Sequence, residues 1–407
     1  MSTLPEPADF GPAPTQQDRS RWREADLFAR STRVARIRER LKAAGLDAYF
    51  GVRPEHMRYL TGFSLKNGEE KIAGFSGQFF VGLEEVVILA DNRYRTQAVR
   101  QATGVRVEPI AYDLRARWPD LLASIGARHV AAEAAFVSYG LWTSLTAAAP
   151  DIDLVPVDGW VEADRAIKEP AEIERIRAAC AVADRALAAV LRSVRPGRTE
   201  QELALQLEWL VRTDGAEAMA FDPMCLAGPG AAAPHGSPSD RPVQANAVLL
   251  FDFGAQVDGY RSDLARTVFI GEPRSQDQEI YDLVARAQRA AIDFLESAVA
   301  AGEAVPSGKA LDAVARGVIE SAGHGRHFEH ATGHGIGLAT HELPNLSRVA
   351  ADTPIPSPTV FSVEPGVYLE NDTGVRIEDL LLVDAGPRRV ERLSQFPRDA
   401  VVVEIGA

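Results

Sequence analysis

The sequence predicts an α/β domain followed by a larger α+β domain that carries an internal duplication with pseudo-twofold symmetry. Three observations lead there. Strand-like apolar runs alternate with helical patterns from residue 32 to about 159. Beyond that point an order of long helix, Pro/Gly break, second helix and strands occurs twice. Each repeat also ends in a hairpin-like segment that sets acidic residues near strand ends.

Residues 1–20 are polar and Pro-rich and read as a mobile tail. The domain over 21–160 opens with "TRVARIRERLKAAG" at 32–45, which has helical spacing and a glycine stop. The apolar strands "LDAYFGV", "QFFVGL" and "EVVILADNRY" follow, and then the helical stretch "YRTQAVRQAT". The segment "ARHVAAEAA", a helix at "YGLWTSLTAA" and the strand "IDLVPVDG" complete an alternation of ordinary domain size.

The domain over 161–407 begins with a helix predicted over 170–194, broken by Pro196-Gly197. A second helix runs from Thr199 to Asp214, and Thr199 with Glu202 three residues on forms a capping box. Strands and hairpins follow to about 271. The second repeat uses the long helix "QDQEIYDLVARAQRAAIDFLESAV", the break "GEAVPSG", the helix "KALDAVARGVIESAG" and further strands.

Composition bounds the function. The chain has 407 residues, 46% of them hydrophobic and 25% charged, with a net charge of −13. That balance argues against a nucleic-acid surface. Two cysteines without close spacing argue against a disulfide framework and for a reducing compartment. The start lacks the basic and apolar regions of a signal peptide, and no apolar run approaches a membrane span. A cytoplasmic protein with no membrane partner is expected.

The chemistry is carried by acids and histidines. In "LLFDFGAQVDGYRSD" the pair Asp258-Gly259 marks a two-residue hairpin turn. Val257 then faces Tyr260, Asp252 faces Ala265, and Asp263 becomes the same-face diagonal neighbour of Asp252, roughly 7–8 Å away at the backbone. In "VFSVEPGVYLENDTGVRIEDLLLV" a loop over 370–374 would set Glu378 opposite Gly366, with Glu364 again diagonal on the same face. Burying one ionised carboxylate without a partner is prohibitive. The four acids therefore either sit apart in water on two solvated hairpins or converge with cations between them, and the same arrangement in both repeats favours convergence. "HFEHATGHGIGLATHE" adds His327, His330, His334 and His341, half of the chain's eight histidines. Glycines flank His334 and permit close backbone approach, and imidazole is a common transition-metal ligand.

These segments resemble the pita-bread metallopeptidases (the creatinase/aminopeptidase-like fold), in the branch of aminopeptidase P and prolidase. The matching motifs are "DFGAQVDGYRSDLARTV", "GHGIGLATHELP", "SVEPGVY", "GVRIEDLLLV" and "PHGSPSDR", and the likeness covers nearly the whole chain. The resemblance implies a site for two divalent ions with Asp252, Asp263, His334, Glu364 and Glu378 as ligands. Asp263 and Glu378 would bridge, Asp252 would bind one ion, and His334 with Glu364 the other. Four carboxylates and an imidazole suit Mn²⁺, with Co²⁺ and Zn²⁺ as further candidates.

The implied reaction is hydrolysis of the bond before proline by metal-activated hydroxide, with Glu364 as proton acceptor and donor. His235 and His341 would contact substrate, His341 at the scissile carbonyl. His330 would wall the proline pocket, and Arg376 would orient ligand carboxylates or contact substrate. His324 and His327 are expected to have no catalytic part. The resemblance also implies a homodimer. Two departures stand out: Ala265 replaces the family's usual threonine, and the segment around 64–78 is longer than usual.

An Xaa-Pro dipeptidase is the favoured reading, with an Xaa-Pro aminopeptidase acting on longer peptides as the alternative. A creatinase-like hydrolase, a sulfonium-compound lyase or a non-catalytic scaffold would tend to have altered ligands. Methionine aminopeptidases usually lack the preceding α/β domain.

Overall fold

The computed structural model describes residues 4–65, 76–111 and 113–405. Most of the 64–78 segment therefore lies outside the described residues. The chain folds as two compact units, one over Ser20–Asp164 and one that joins the described residues up to Arg19 to those from Arg165 onward.

The smaller unit is built on a six-stranded mixed sheet. Its strands are β1 (Ala48–Gly51), β2 (Gln78–Gly82), β3 (Val86–Ala90), β4 (Arg106–Pro109), β5 (His129–Glu133) and β6 (Asp153–Val157), in the order β4-β3-β2-β1-β5-β6. One face buries Phe50, Phe80, Val87 and Leu89 against Trp118, Leu121 and Leu122. The first helix begins at Gln16, well before the predicted residue 32, and runs to Ala44. The start is set by Thr15 and Asp18, which cap each other's backbone amides reciprocally. Four further elements carry sequence signals too weak to read: the helices Pro54–Thr61, Leu114–Ser124 and Trp160–Ala166, and the edge strand β4.

The predicted mobile tail is instead packed over its described residues. Phe10 stacks on Phe396 with ring centroids 6.1 Å apart, Arg192 pairs with Glu6 at 2.6 Å, and Arg19 donates to the Gly215 carbonyl at 2.6 Å. A polar, proline-rich composition does not show that one phenylalanine has a partner nearly 400 residues away.

The larger unit contains the two repeats. Helices Pro170–Leu191 and Glu200–Thr213 precede the first set of strands, and Ser275–Ala301 and Gly308–Ser321 precede the second. Their starts are chemically explicit. Thr199 and Glu202 form the expected reciprocal cap, and in the other repeat the Ser307 hydroxyl accepts from the Ala310 amide at 3.1 Å. The sheet strands are β7 (Ala218–Met219), β8 (Met224–Ala227), β9 (Ala247–Phe253), β10 (Ala255–Val257), β11 (Tyr260–Arg261) and β12 (Leu264–Ile270). The second set is β13 (Gly333–Gly335), β14 (Glu342–Leu346), β15 (Thr359–Val363), β16 (Gly366–Leu369), β17 (Thr373–Arg376), β18 (Asp379–Asp384), β19 (Arg389–Arg392) and β20 (Val402–Val403).

Two larger sheets, ordered β20-β12-β9-β8 and β14-β13-β15-β18-β19, supply the site. The long helix Ser275–Ala301 serves both. Its Ile280, Leu283 and Val284 pack with Leu250 and Phe269, and Ile292, Leu295 and Val299 pack with Phe361, Leu381 and Val383. This apolar seating gives the strand ends a rigid base.

Candidate metal centre

The first hairpin has the register read from the sequence. Val257 pairs with Tyr260 and Asp252 with Ala265. Asp258 and Gly259 both have positive φ, 46° and 79°, as a type I′ turn requires. Asp258 itself points away from the centre, to Arg175 Nε at 2.7 Å.

The second hairpin differs. Gly366 pairs with Arg376, not Glu378, and Val363 pairs with Asp379. Glu364 thus falls level with Glu378 instead of diagonal to it. The slip is two residues, so both side chains stay on the expected face, because strand side chains alternate with period two. The two acids do not pair through their backbones. Glu364 N–H donates to Thr332 O at 2.7 Å and Glu378 N–H to Ala265 O at 3.0 Å. The second of these bonds ties one acidic hairpin to the other.

Asp263, His334 and Glu378 are all buried, and each offers a ligand atom within 4.8 Å of the others. His334 Nε2 lies 3.7 Å from Asp263 Oδ2 and 3.2 Å from Glu364 Oε1. Its Nδ1 sits 3.0 Å from the Gly335 carbonyl and so acts as a donor, which aims Nε2 at the carboxylates. Glycine is needed on both sides of His334. A Cβ at Gly333 would meet Ser362 O at 1.9 Å, and one at Gly335 would meet Leu343 O at 2.1 Å.

Asp252 is held at the edge of this group by Arg376 Nη1. Arg376 also donates from Nε to Tyr368 OH at 2.7 Å and from Nη2 to Pro234 O at 2.8 Å. Its guanidinium is therefore engaged by three protein groups, Asp252 among them. His330 Nδ1 lies 2.8 Å from the Ala331 carbonyl, so its bare Nε2 accepts from Tyr368 O–H at 2.9 Å. Burial, followed by the Arg376 charge, pushes His330 down to about 4, which keeps it neutral.

His341 is exposed, with its ring centroid 4.3 Å from that of His334. Partial burial and the His334 charge lower its pKa. His235 is exposed and follows Pro234; its charge bears on Asp252, His330 and His341. His324 and His327 lie beside each other with tilted rings, centroids 5.7 Å apart.

Two residues went unread in the sequence. Ser362 Oγ accepts from the His334 amide and donates to Glu364 Oε1, both at 3.1 Å. Tyr368 links His330 to Arg376. The signal for Tyr368 was the register: with Gly366 opposite Arg376, Tyr368 becomes the same-face diagonal neighbour of that arginine.

The residues fit a group of divalent cations. Asp263 Oδ1 and both Glu378 oxygens are buried with no hydrogen-bond partner among the described residues. Such atoms carry the full desolvation cost unless a cation meets them. Burial comes first in raising both carboxyls well above the ordinary range, and neighbouring charge adds to it, Asp252 beside Asp263 and Asp263 beside Glu378. Burial also acts to raise Glu364 and to lower His334. Their mutual hydrogen bond and charge outweigh it, holding Glu364 down to about 2 and bringing His334 up to about 9.

These shifts set a pH dependence. Asp263, Glu378 and His334 all have folded values above their unfolded ones, so the stability they contribute is present at low pH and lost as pH rises through the folded values. Glu364 has the opposite sign, but its window lies near pH 2–4. Between pH 5 and 8 the melting temperature of chelator-treated protein should fall relative to the Mn²⁺-loaded form. A gap between the two curves that does not widen with pH would contradict this.

The two sheets that supply the site and their acid-and-histidine centre define a metal-dependent hydrolase. The chain belongs to metallopeptidase family M24, whose model matches residues 174–385, and the Creatinase/Prolidase N-terminal domain matches residues 33–167. It is a metal-dependent peptidase with the pita-bread fold, of the prolidase branch. An uncharacterized peptidase of Bacillus subtilis is 32% identical over 91% of this chain and all of its own. The Xaa-Pro dipeptidase of Pyrococcus horikoshii is 34% identical over 65% of this chain and 72% of its own. Among solved structures, an Xaa-Pro dipeptidase from Bacillus anthracis aligns with a TM-score of 0.81 at 30% identity, covering 92% of this chain and 99% of that one. An X-Pro aminopeptidase from Thermotoga maritima aligns with a TM-score of 0.80 at 31% identity, covering 91% and 99%. No helix among the described residues is long and apolar enough to cross a membrane.

Proposed function

We propose that the protein is an Xaa-Pro dipeptidase that uses two divalent ions, preferentially Mn²⁺, and works as a cytoplasmic homodimer. The observation that carries this reading is the buried group of Asp263, His334 and Glu378, with its unpartnered oxygens, bordered by His330 and His341. Asp263 and Glu378 would be shared ligands, Asp252 would hold one ion, and His334 with Glu364 would hold the other. When bound, the ions supply Lewis acidity and make a water nucleophilic near neutral pH.

The chain's own groups do the rest. Glu364, ionised and fixed by Ser362, takes the proton of the attacking water and returns it to the departing proline nitrogen. His341, its pKa lowered by partial burial and the His334 charge, donates to the scissile carbonyl as charge develops on its oxygen. His235 contacts substrate from the opposite segment. His330, kept neutral by burial and the Arg376 charge and bonded to Tyr368, offers an uncharged wall to the proline ring, while Arg376 keeps Asp252 in place.

Hydrolysis of an Xaa-Pro dipeptide and an Xaa-Pro-Yaa tripeptide, each with and without Mn²⁺, tests the reading. Cleavage of the dipeptide alone supports it. Preference for the tripeptide assigns an aminopeptidase instead, consistent with the Thermotoga maritima likeness. Hydrolysis of neither peptide by metal-loaded protein refutes a proline-specific peptidase.

A further inference from the structure

His341 is the last residue of a six-residue loop, Ile336–His341, that leaves the sheet after Gly335 and returns at Glu342, the cross-strand partner of Gly335. The loop therefore starts two residues after the ligand His334 and ends on the residue proposed to meet the carbonyl. Arg261 holds its middle, donating from the backbone to Gly337 O and from Nη1 to Thr340 Oγ1, both at 2.9 Å.

Glu342 holds its end. Its side chain turns inward, where Oε1 accepts from the Ala339 amide at 2.7 Å and from Arg165 Nη2. Lys168 Nζ stands 3.5 Å from Oε2 and also donates to the Arg165 carbonyl at 2.6 Å, while the Lys168 amide is anchored on Pro358 O at 2.8 Å. The Arg165, Lys168 and Glu342 side chains are 3%, 1% and 4% exposed. Gly337 lies so close that a Cβ there would sit 3.0 Å from both Glu342 oxygens. Burial opposes the Glu342 charge, yet Arg165, Lys168 and the Ala339 amide hold its carboxyl down to about 2.

An anion gripped by two buried cations is a costly way to close a loop, since removing either sign strands the other. It does give the loop end one fixed position, which an apolar contact would not. We infer that Glu342, clamped by Arg165 and Lys168, is a positioning residue that sets the imidazole of His341 against His334 for the reaction. The inference rests on the reading of His341 as a carbonyl contact. Glu342 touches no reacting atom; it acts through its chain neighbour.

The test is a double-mutant cycle with Glu342→Asp, His341→Asn and the pair, on an Xaa-Pro dipeptide with saturating Mn²⁺. Glu342→Asp keeps the charge that Arg165 and Lys168 need and shortens the arm by one methylene, so the protein is expected to fold. It should lower kcat roughly 10- to 100-fold with little change in KM, the scale of a misplaced catalytic group. The pair should be no slower than His341→Asn alone, because both changes remove the same interaction. Losses that multiply would overturn the inference by giving Glu342 a role independent of His341. If the wild-type protein cleaves no Xaa-Pro peptide, or His341→Asn is fully active, the failure belongs to the proposed function. The positioning claim is then decided by the ¹⁵N-imidazole spectrum of the Mn²⁺-free protein. Glu342→Asp should move the His341 resonances, assigned by their absence in His341→Asn, and leave those of His129 in place. Unmoved His341 resonances would overturn it.

Discussion

Replacing Glu364 by glutamine leaves a folded protein that no longer turns over. The backbone at this position is fixed independently of the carboxylate, through the amide bond to Thr332 O at 2.7 Å. A glutamine oxygen can still accept from Ser362 Oγ, so the local structure has no reason to move. What is lost is the ability to take up a proton and a negative ligand atom 3.2 Å from His334 Nε2. General acid–base groups contribute roughly 10²- to 10⁴-fold, and the lost ligand charge adds to that. A kcat within about tenfold of wild type at saturating Mn²⁺ would remove Glu364 from the proton-transfer role.

Asp263→Asn should abolish metal binding while leaving the ion-free fold intact or more stable. Asp263 is 4% exposed, its Oδ1 has no partner, and its carboxyl is raised by burial and by Asp252. An isosteric neutral amide relieves that strain in the absence of ions. It also removes the charge that a shared ligand must supply. Residues that merely support a ligand cost about 10- to 100-fold in metal affinity, so a shared ligand should exceed the upper figure. Calorimetric titration with Mn²⁺ and paired melts in chelator check both halves. Wild-type affinity in the variant would refute the assignment.

How far the sequence could carry the structure depended on whether the determining contact was local. The Asp258-Gly259 turn is local, and it set the first hairpin's register correctly down to Asp252 opposite Ala265. The second hairpin has no such two-residue signal. A loop over 370–374 sets Glu378 opposite Gly366, while pairing extends to Leu369 with Thr373, so the register differs by two. The acids still landed on the right face, but Tyr368 lost its visible relation to Arg376. The capping box at Thr199 was equally legible because both partners lie within one turn. The helix start at Gln16 used the same chemistry through Thr15 and Asp18 and was masked by the polar composition around it.

Long-range pairings were not legible. Nothing near Phe10 points to Phe396, and nothing near Glu342 points to Arg165 and Lys168. The convergence of Asp263, His334 and Glu378 is also long-range, yet it could be anticipated. Acids at strand ends in both repeats and a glycine-flanked histidine made a shared cation the simplest way to bury them. Asp252 and Glu364 are paired with Arg376 and His334, contacts that span more than a hundred residues for the first and thirty for the second.

The most direct measurement is anomalous diffraction at the manganese edge from crystals of the Mn²⁺-loaded protein. Two peaks per chain are expected, contacted between them by Asp252, Asp263, His334, Glu364 and Glu378. A single peak, or peaks that leave Asp263 and Glu378 without an ion, would contradict this expectation.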